Sequence, residues 1–286
     1  MMNRKLILVA ETGSDLTPEL AKRWGVYLVP MHVNMGDQML DDGAFPVEEV
    51  CAYYERTGKA PKTSASSPED FTRIFDEIHA AYPDKHILHL AYSAVTTCSY
   101  QNALLASEDR DYVTSFDTQH VSVGQAAVVI GVAKKLQENP DMTLEEAVAA
   151  AKEISACTHM CFIPNNLDYL RAGGRVSNAV AIAGNLLQLH PCIDIIDGKL
   201  MAQKKYRGSF QRVVPKLIED YAEKYSLNKE FIRFIDTPGL EQEIRDLAEN
   251  TARSLGFKEI EWMRTGCVIT CHGGPKAFGI VGSSEA

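Results

Sequence analysis

The sequence predicts an α/β protein with two α/β domains, the first a doubly wound, mainly parallel sheet and the second a smaller mixed-sheet domain. Short apolar runs alternate with segments of helical periodicity through the first half, which is typical of a parallel sheet flanked by helices. In the second half, the Asp197-Gly198 dipeptide between two apolar runs predicts an antiparallel hairpin. We place the domains at residues 1–155 and 156–286.

The first half contains four predicted strands and the helices that connect them. Thr17 or Ser14 can cap the first helix, and Pro46 and Pro68 suit first-turn positions, where proline costs little. Residues 36–43, rich in Gly and Asp, are predicted as a loop. The predicted strands are residues 5–10, 26–33, 86–91 and 111–116, and the predicted helices end at residue 24, begin at 46, span 67–81, begin near 99, and span 122–136 and 144–154.

The second half is predicted from the same periodicities. Its predicted strands are residues 160–163, 191–196, 200–205, 231–236, 259–263 and 268–270, and its predicted helical segments are residues 167–171, 179–187, 210–224 and 242–255.

Charge and hydropathy argue against two classes of partner. The chain has 29 Lys and Arg against 38 Asp and Glu, a net charge of -9, whereas nucleic-acid binding needs a basic surface. The longest apolar runs are too short to span a bilayer, so we expect no stable membrane insertion. The first apolar run stops at Glu11, too early for a signal peptide, and we expect a cytoplasmic protein.

Seven cysteines, an odd number, do not indicate a disulfide framework. The pairs Cys157/Cys161 and Cys267/Cys271, with His159 and His272 nearby, have a spacing that zinc ligands can show. Both pairs lie in apolar runs that look like strands, where alternation puts both cysteines on one face, as core residues would be. We therefore expect no metal site. We also expect no cofactor.

Polar segments follow the predicted strands of the first half, at residues 11–14, 63–67, 93–99 and 117–119. Ligands of doubly wound sheets lie beyond the carboxyl ends of the strands. Several neutral hydroxyl donors there could hold a carboxylate. Helix capping is the alternative, and it explains Ser67 well but not the other hydroxyls, because one cap needs one hydroxyl.

Two glycine-containing segments, residues 170–177 and 271–279, each place a cation-capable side chain beside two glycines. Glycine allows close approach of the backbone to a ligand, and an Arg or His beside it can bind an anion. Together the two segments suggest a site for a small anionic headgroup. Separately, each could be an ordinary turn with a solvated cation.

An enzyme remains the alternative: a hydrolase or phosphoryl-transfer enzyme acting on a small polar substrate. A nucleophilic serine could use His272, His120 or His89 as its base. The sequence contains no Gly-x-Ser-x-Gly elbow, no Walker A motif and no Gly-x-Gly-x-x-Gly fingerprint, which argues against covalent catalysis on that pattern and against nucleotide binding.

The ordered set of motifs resembles the DegV family of bacterial fatty-acid-binding proteins, the binding subunits of fatty acid kinase. The resemblance covers nearly the whole chain, and the Gly-Gly-Arg element at 173–175 followed by the His-Gly-Gly-Pro element at 272–275 is its most specific part. The other matching segments are residues 11–16, 29–33, 62–71, 97–103, 117–124 and 167–177.

The resemblance implies a long-chain fatty acid in a buried tunnel between the two domains. It implies that the protein presents the carboxylate to a separate ATP-dependent kinase and has no complete active site of its own. By matching motifs, it assigns the carboxylate to Thr63, Ser64, Ser93, Thr97 and His272. It places Gly173, Gly174 and Arg175 near the tunnel mouth, where Arg175 would engage the kinase or its phosphate.

Three positions depart from the family pattern. The Thr-Asp-Ser opening appears as Ala10-Glu11-Thr12, and the Ser-Gly-Thr loop appears as Thr97-Cys98-Ser99, without its glycine. Lys276 replaces a glycine after the His-Gly-Gly-Pro element, and it is expected to add a cation near the headgroup.

Overall fold

The structure, a computed structural model, describes residues 4–176 and 189–285. The predicted helix at 179–187 and Ser177 of the Gly-Gly-Arg segment lie outside the described residues. The chain divides into two compact units, Met1–Ala44 with Thr63–Ala156, and Phe45–Lys62 with Cys157–Ala286.

The first half of the chain alternates strands and helices as predicted. The strands are β1 Leu6–Glu11, β2 Val26–Val29, β3 His32–Met35, β4 Gln38–Asp41, β5 Lys62–Ser64, β6 His86–Ala91 and β7 Val113–Asp117. The helices are α1 Pro18–Trp24, α2 Glu48–Thr57, α3 Pro68–Ala81, α4 Ser99–Ala106, α5 Ser122–Glu138 and α6 Leu144–Cys157.

The main sheet of the first unit has the strand order β2-β1-β6-β7, and every neighbouring pair is parallel. The chain moves from β1 outward to β2 and then crosses back to β6 on the other side, so the doubly wound sheet is confirmed. Residues Leu8 to Ala10 have no solvent exposure. Strands that are buried on both faces consist of nearly continuous apolar residues, and this run predicted β1 from the sequence.

A second, three-stranded sheet with the order β4-β3-β5 differs from the prediction. The expected single strand at residues 26–33 is two strands, because Pro30 has no N–H for the ladder and separates β2 from β3. The expected loop at residues 36–43 contains β4, which pairs with β3 around a two-residue turn. Gly36 takes φ +65° in that turn, a conformation that glycine adopts without strain.

The second unit contains a mixed six-stranded sheet, as expected. Its strands are β8 Thr158–Ile163, β9 Leu189–Ile196, β10 Lys199–Arg207, β11 Phe231–Asp236, β12 Glu259–Arg264 and β13 Phe278–Ser283, in the order β10-β9-β8-β13-β11-β12. Only the β11–β12 pair is parallel among the described pairs. Asp197 and Gly198 form the β9–β10 turn with φ +49° and +75°, which confirms the predicted hairpin. The strand β13 was not predicted.

The helices of the second unit are α7 Leu167–Gly173, α8 Phe210–Lys224, α9 Gln242–Ser254 and α10 Cys267–Gly273. Helices α8 and α9 pack their apolar faces on the sheet. This core includes Val213, Val214, Leu217, Ile218, Ile244 and Ala248 from the helices and Ile232, Phe234 and Ile280 from the strands.

The strand predicted at residues 268–270 is wrong, because this segment lies inside α10. Val-Ile-Thr favours a strand locally, but tertiary packing overrides such a preference. Cys267 and Cys271 are four residues apart on this helix, and both are buried. They share a face because residues four apart are neighbours on a helix surface, not because of strand alternation. The other pair does not lie on one strand, since Cys157 ends α6 and Cys161 lies in β8.

Residues 45–62 belong to the second unit, whereas the sequence assigned them to the first domain. The Sγ of Cys267 donates to the carbonyl of Phe45 at 3.5 Å, and the hydroxyl of Tyr54 donates to Asp168 at 3.3 Å. The rings of Tyr54 and Tyr169 lie 4.7 Å apart. No local pattern in the sequence indicates that residues 45–62 pack with the second unit. Because these residues are included, the second unit is about as large as the first.

Candidate functional site

A buried hydrogen-bond network joins the strand ends of the first unit. Glu11, the last residue of β1, has no solvent exposure. Its Oε1 accepts from the Ser99 hydroxyl at 2.8 Å, and its Oε2 accepts from the Tyr92 N–H at 3.0 Å and from Nε2 of Gln125 at 2.8 Å. Nε2 of His89 lies 3.4 Å from the same Oε2. One carboxylate thus contacts β6, the start of α4 and α5.

The pKa of Glu11 lies below its usual value. Burial opposes ionisation of this carboxyl, but the nearby imidazole of His89 and hydrogen bonds from Ser99 and Tyr92 outweigh that effect. Glu11 is therefore a buried, ionised carboxylate with several donors.

Ser93 and Thr97 lie in the segment between β6 and α4. Ser93 is fully buried, and its N–H donates to the carbonyl of His120 at 2.9 Å. Thr97 is half-buried, and its Oγ1 accepts from the Ser99 N–H at 3.3 Å. That bond uses only an acceptor lone pair of Thr97, so the hydroxyl proton can still be donated to a carboxylate.

Thr63 and Ser64 lie on β5 and are half-buried. The Oγ of Ser64 accepts from Nδ2 of Asn34 at 2.7 Å, which again leaves the hydroxyl proton for donation. Nδ2 of Asn102, on α4, donates to the carbonyl of Ser66 at 2.8 Å. The segment with Thr63 and the helix that follows Thr97 are therefore in contact within the first unit.

Ser67 acts as the helix cap that its sequence context predicted. Its hydroxyl accepts from the Asp70 N–H, and Asp70 accepts from the Ser67 N–H, a reciprocal capping box at the start of α3. Both ring nitrogens of His32 lie 2.9 Å from carboxylates, Nδ1 from Asp41 and Nε2 from Asp70. Although burial opposes ionisation of Asp70, hydrogen bonds from Ser67 and His32 lower its pKa. These bonds fix the end of the Thr63 segment.

Gly173, Gly174 and His272 form one cluster in the second unit. A Cβ atom on Gly173 would lie 2.2 Å from Nδ1 of His272, so only glycine fits beside the imidazole. Gly174 ends α7 with φ +62° and donates its N–H to the carbonyl of Leu170 at 3.3 Å. The first glycine is required by contact and the second by backbone conformation.

Arg175 is exposed, and one of its guanidinium nitrogens, Nη1, donates to the carbonyl of Gly173 at 2.7 Å. This bond caps the end of α7. Asp168, the acid nearest in sequence, instead accepts from Tyr54 and pairs with Arg171 at 3.9 Å. Arg175 thus uses one donor for its own loop, and the guanidinium has further N–H groups.

His272 lies within α10 and is half-buried, with its Nδ1 atom shielded from solvent. Burial, and then the charge of Arg175, lower its pKa to about 4. The imidazole is therefore neutral near pH 7. A neutral imidazole carries one N–H donor and one acceptor, which suits a hydrogen bond to a carboxylate rather than an ion pair.

Lys276 does not add an unpaired cation, because its Nζ lies 3.0 Å from Glu241. Its backbone has φ +59°, in the left-handed region that favours glycine. The family pattern therefore has glycine at this position because glycine adopts a positive φ without strain.

The histidines considered as general bases have other contacts. Nε2 of His120 lies 3.0 Å from the carbonyl of Ser155, and burial lowers the pKa of this imidazole. Nδ1 of His89 lies 3.1 Å from the Ser115 hydroxyl, within the sheet and not at its carboxyl end. Among residues 4–176 and 189–285, no three His, Cys, Asp or Glu side chains form a group that could hold a metal ion.

The structure thus brings the predicted residues together in two sets. Thr63, Ser64, Ser93 and Thr97 lie in neighbouring segments of the first unit, and Gly173, Gly174, Arg175 and His272 lie together in the second. That both sets contact one ligand stays a prediction. Sequence reasoning placed Glu11 at a strand end but did not predict its buried network, and it did not single out Gln125 at all.

Comparison with known proteins identifies the family. A sequence profile described as "Uncharacterised protein, DegV family" matches residues 5–285. The chain belongs to the DegV family. A Thermotoga maritima protein named fatty acid-binding protein is 26% identical over 283 residues, 96% of each chain.

Solved DegV structures have the same fold. The chain is similar to a Thermus thermophilus DegV family protein described by its fatty acid binding, with a TM-score of 0.87 and 27% identity over 98% of this chain and 100% of that one. It also matches the Streptococcus pneumoniae fatty acid kinase B3 protein loaded with linoleic acid, with a TM-score of 0.80 over the full length of both. At 19% identity, this second likeness shows the fold alone.

Replacing Gly173 by alanine should displace His272. The added Cβ would lie 2.2 Å from Nδ1, and overpacking of this kind costs about 1–3 kcal/mol. Gly174→Ala is the matched control, because its φ of +62° makes the change unfavourable while nothing lies within 4 Å of the added Cβ. Urea unfolding should show both variants destabilised, but only Gly173→Ala should shift the His272 imidazole NMR signals. Equal His272 signals in the two variants would contradict the contact.

The low pKa of His272 makes the stability of the protein depend on pH. The unfolded chain binds a proton at His272 below about pH 6.5, whereas the folded protein binds it only near pH 4. The unfolded state therefore gains protons first, and the stability due to His272 decreases as the pH falls from 6.5 to 4.

Urea unfolding at pH 7, 6 and 5 should show a steeper loss of stability for the wild type than for His272→Asn. An imidazole titration near pH 6.5 for His272 by NMR would contradict this account.

Proposed function

We propose that this protein binds a long-chain fatty acid and presents its carboxylate to a separate ATP-dependent kinase in the cytoplasm. The observation that carries the proposal is the match, over nearly the whole chain, to DegV proteins described by fatty-acid binding. The residues that we propose bind the fatty-acid carboxylate are Thr63, Ser64, Ser93, Thr97 and His272.

The chemistry of these side chains supports a singly charged headgroup. Four hydroxyls and a neutral imidazole donate hydrogen bonds without adding positive charge, whereas phosphate sites commonly recruit Arg or Lys. Hydrogen bonds to a charged group contribute roughly 1.5–3 kcal/mol each. Such a site suits a carboxylate that the protein binds and then presents to a separate kinase.

A long acyl chain supplies the remaining affinity in this proposal. Each buried methylene contributes about 0.8 kcal/mol. Roughly fourteen or more methylenes in a buried apolar tunnel therefore outweigh the desolvation of one carboxylate. The protein needs no cofactor for this role, and the transfer of phosphate is assigned to the kinase.

Purified protein should contain a fatty acid of this length in nearly stoichiometric amount, measured by mass spectrometry of an organic extract. Thr63→Ala should weaken rebinding about tenfold or more, since it removes one hydrogen bond to a charged group. Thr251→Ala is the control, because its hydroxyl donates within α9, to the carbonyl of Leu247 at 2.7 Å. Extraction of polar metabolites alone, or equal affinity in the two variants, would contradict the proposal.

Arg175→Ala should separate binding from transfer. We expect unchanged fatty-acid affinity but no acyl phosphate when kinase and ATP are supplied, because the guanidinium fork is suited to a phosphate or a carboxylate on the partner. Arg175→Lys should restore little of the transfer, since lysine lacks the fork.

Arg171→Ala is the matched control, an exposed arginine in the last turn of α7. The competing role of Arg175 is structural, through its bond to the carbonyl of Gly173. A large loss of thermal stability in Arg175→Ala, with a proportionate loss of affinity, would show that the arginine serves the loop and not the kinase.

A further inference from the structure

The segment at residues 92–98 is held at both ends by the same carboxylate. This segment, defined here as the headgroup loop, joins β6 to α4 and carries Ser93 and Thr97. At its start, the Tyr92 N–H donates to Oε2 of Glu11 at 3.0 Å. Immediately after its end, the Ser99 hydroxyl donates to Oε1 of Glu11 at 2.8 Å.

We propose that Glu11 is a positioning residue that fixes the headgroup loop so that Ser93 and Thr97 can donate to the ligand carboxylate. This inference rests on the fatty-acid-binding function proposed above. Glu11 itself does not contact the ligand in this account; it acts through the two ends of the loop.

The bond at Ser99 sets the position of Thr97. The Ser99 N–H donates to Oγ1 of Thr97 at 3.3 Å, while the Ser99 hydroxyl is held by Glu11. Because Glu11 holds the Ser99 side chain, it also orients the Ser99 N–H that donates to Thr97. A shift of Ser99 away from Glu11 would move the Thr97 hydroxyl with it.

The bond at Tyr92 sets the position of Ser93, the next residue. The Ser93 N–H donates to the carbonyl of His120 at 2.9 Å, and the Ala94 N–H donates to Oδ1 of Asp117 at 3.3 Å. Glu11 on one side, and the end of β7 with the segment that follows it on the other, thus hold the first half of the loop.

The arrangement requires two acceptor oxygens. Three donors, from the start of the headgroup loop, α4 and α5, bind Glu11, with Oε2 accepting from both Tyr92 and Gln125. Gln125 also donates to the carbonyl of Leu90 at 2.9 Å, so it links the carboxylate to the strand just before the loop. An amide has only one accepting oxygen, and its NH2 group would face a donor.

A buried carboxylate is an expensive way to stabilise a core, because its desolvation opposes folding even when it is paired. Glu11 and His89 are both fully buried, and Nε2 of His89 lies 3.4 Å from Oε2 of Glu11. An apolar pair would pack without that penalty, but it would leave the Tyr92 N–H and the Ser99 hydroxyl without this acceptor. The carboxylate therefore fixes the geometry of the loop, which an apolar pair could not do.

The test compares Glu11→Gln with a core variant of matched stability. Ile78→Ala removes a fully buried side chain from α3 in the same unit and leaves the contacts of Glu11 in place. Palmitate affinity, thermal stability and amide hydrogen exchange across residues 92–99 are measured for both variants and for the wild type.

We expect Glu11→Gln to weaken palmitate binding about tenfold and to accelerate exchange in the headgroup loop about tenfold. Ile78→Ala, with a comparable loss of thermal stability, should keep the wild-type affinity and loop exchange. If Glu11→Gln folds poorly, Ser99→Ala is the second variant, because it removes the contact with Oε1 and leaves Glu11 in place. It should accelerate hydrogen exchange at the α4 end of the loop.

Equal affinity and equal loop exchange in Glu11→Gln and the wild type would overturn the inference, as would the same losses in Ile78→Ala. The exchange readout on ligand-free protein separates the two proposals. If the wild type does not bind palmitate, the proposed function fails, whereas loop exchange in Glu11→Gln still decides whether Glu11 holds the loop.

Discussion

The buried carboxylate of Glu11 is the interaction on which the first unit's strand ends depend. It ends β1 at the centre of the doubly wound sheet, where the chain reverses direction between β2 and β6. Its bonds to Tyr92, Ser99 and Gln125 tie β6, α4 and α5 to that point. Doubly wound sheets bind ligands at such reversal points. The same bonds that hold the fold together there also shape the surface that a ligand would meet.

The second unit positions its candidate residues by a different means. Close contact, not a hydrogen-bond network, places His272 against Gly173, and the left-handed conformation of Gly174 ends α7 directly before Arg175. Burial together with the charge of Arg175 keeps His272 neutral near pH 7. Each unit therefore carries neutral donors, hydroxyls in the first and an imidazole in the second, and that both kinds bind one carboxylate stays a prediction.

The sequence predicts the features that depend on local chemistry. The run before Glu11 reads as a covered strand, Asp197-Gly198 reads as a hairpin turn, and Ser67 reads as a helix cap, because each needs those residue types in place. Features set by distant packing were missed or wrong: residues 268–270 form a helix against their β propensity, and residues 45–62 fold with the second unit. Likewise, Gln125 becomes part of the Glu11 network only through the path of the chain.

The central claim, that neutral donors hold a fatty-acid carboxylate, is tested most directly by NMR of palmitate labelled with 13C at its carboxyl carbon. The account predicts one bound carboxyl signal, in slow exchange with free palmitate, whose chemical shift changes in Thr63→Ala, in Thr97→Ala and in His272→Asn. A bound signal that is the same in the wild type and all three variants would contradict it, because the carboxylate would then lie away from all of these side chains.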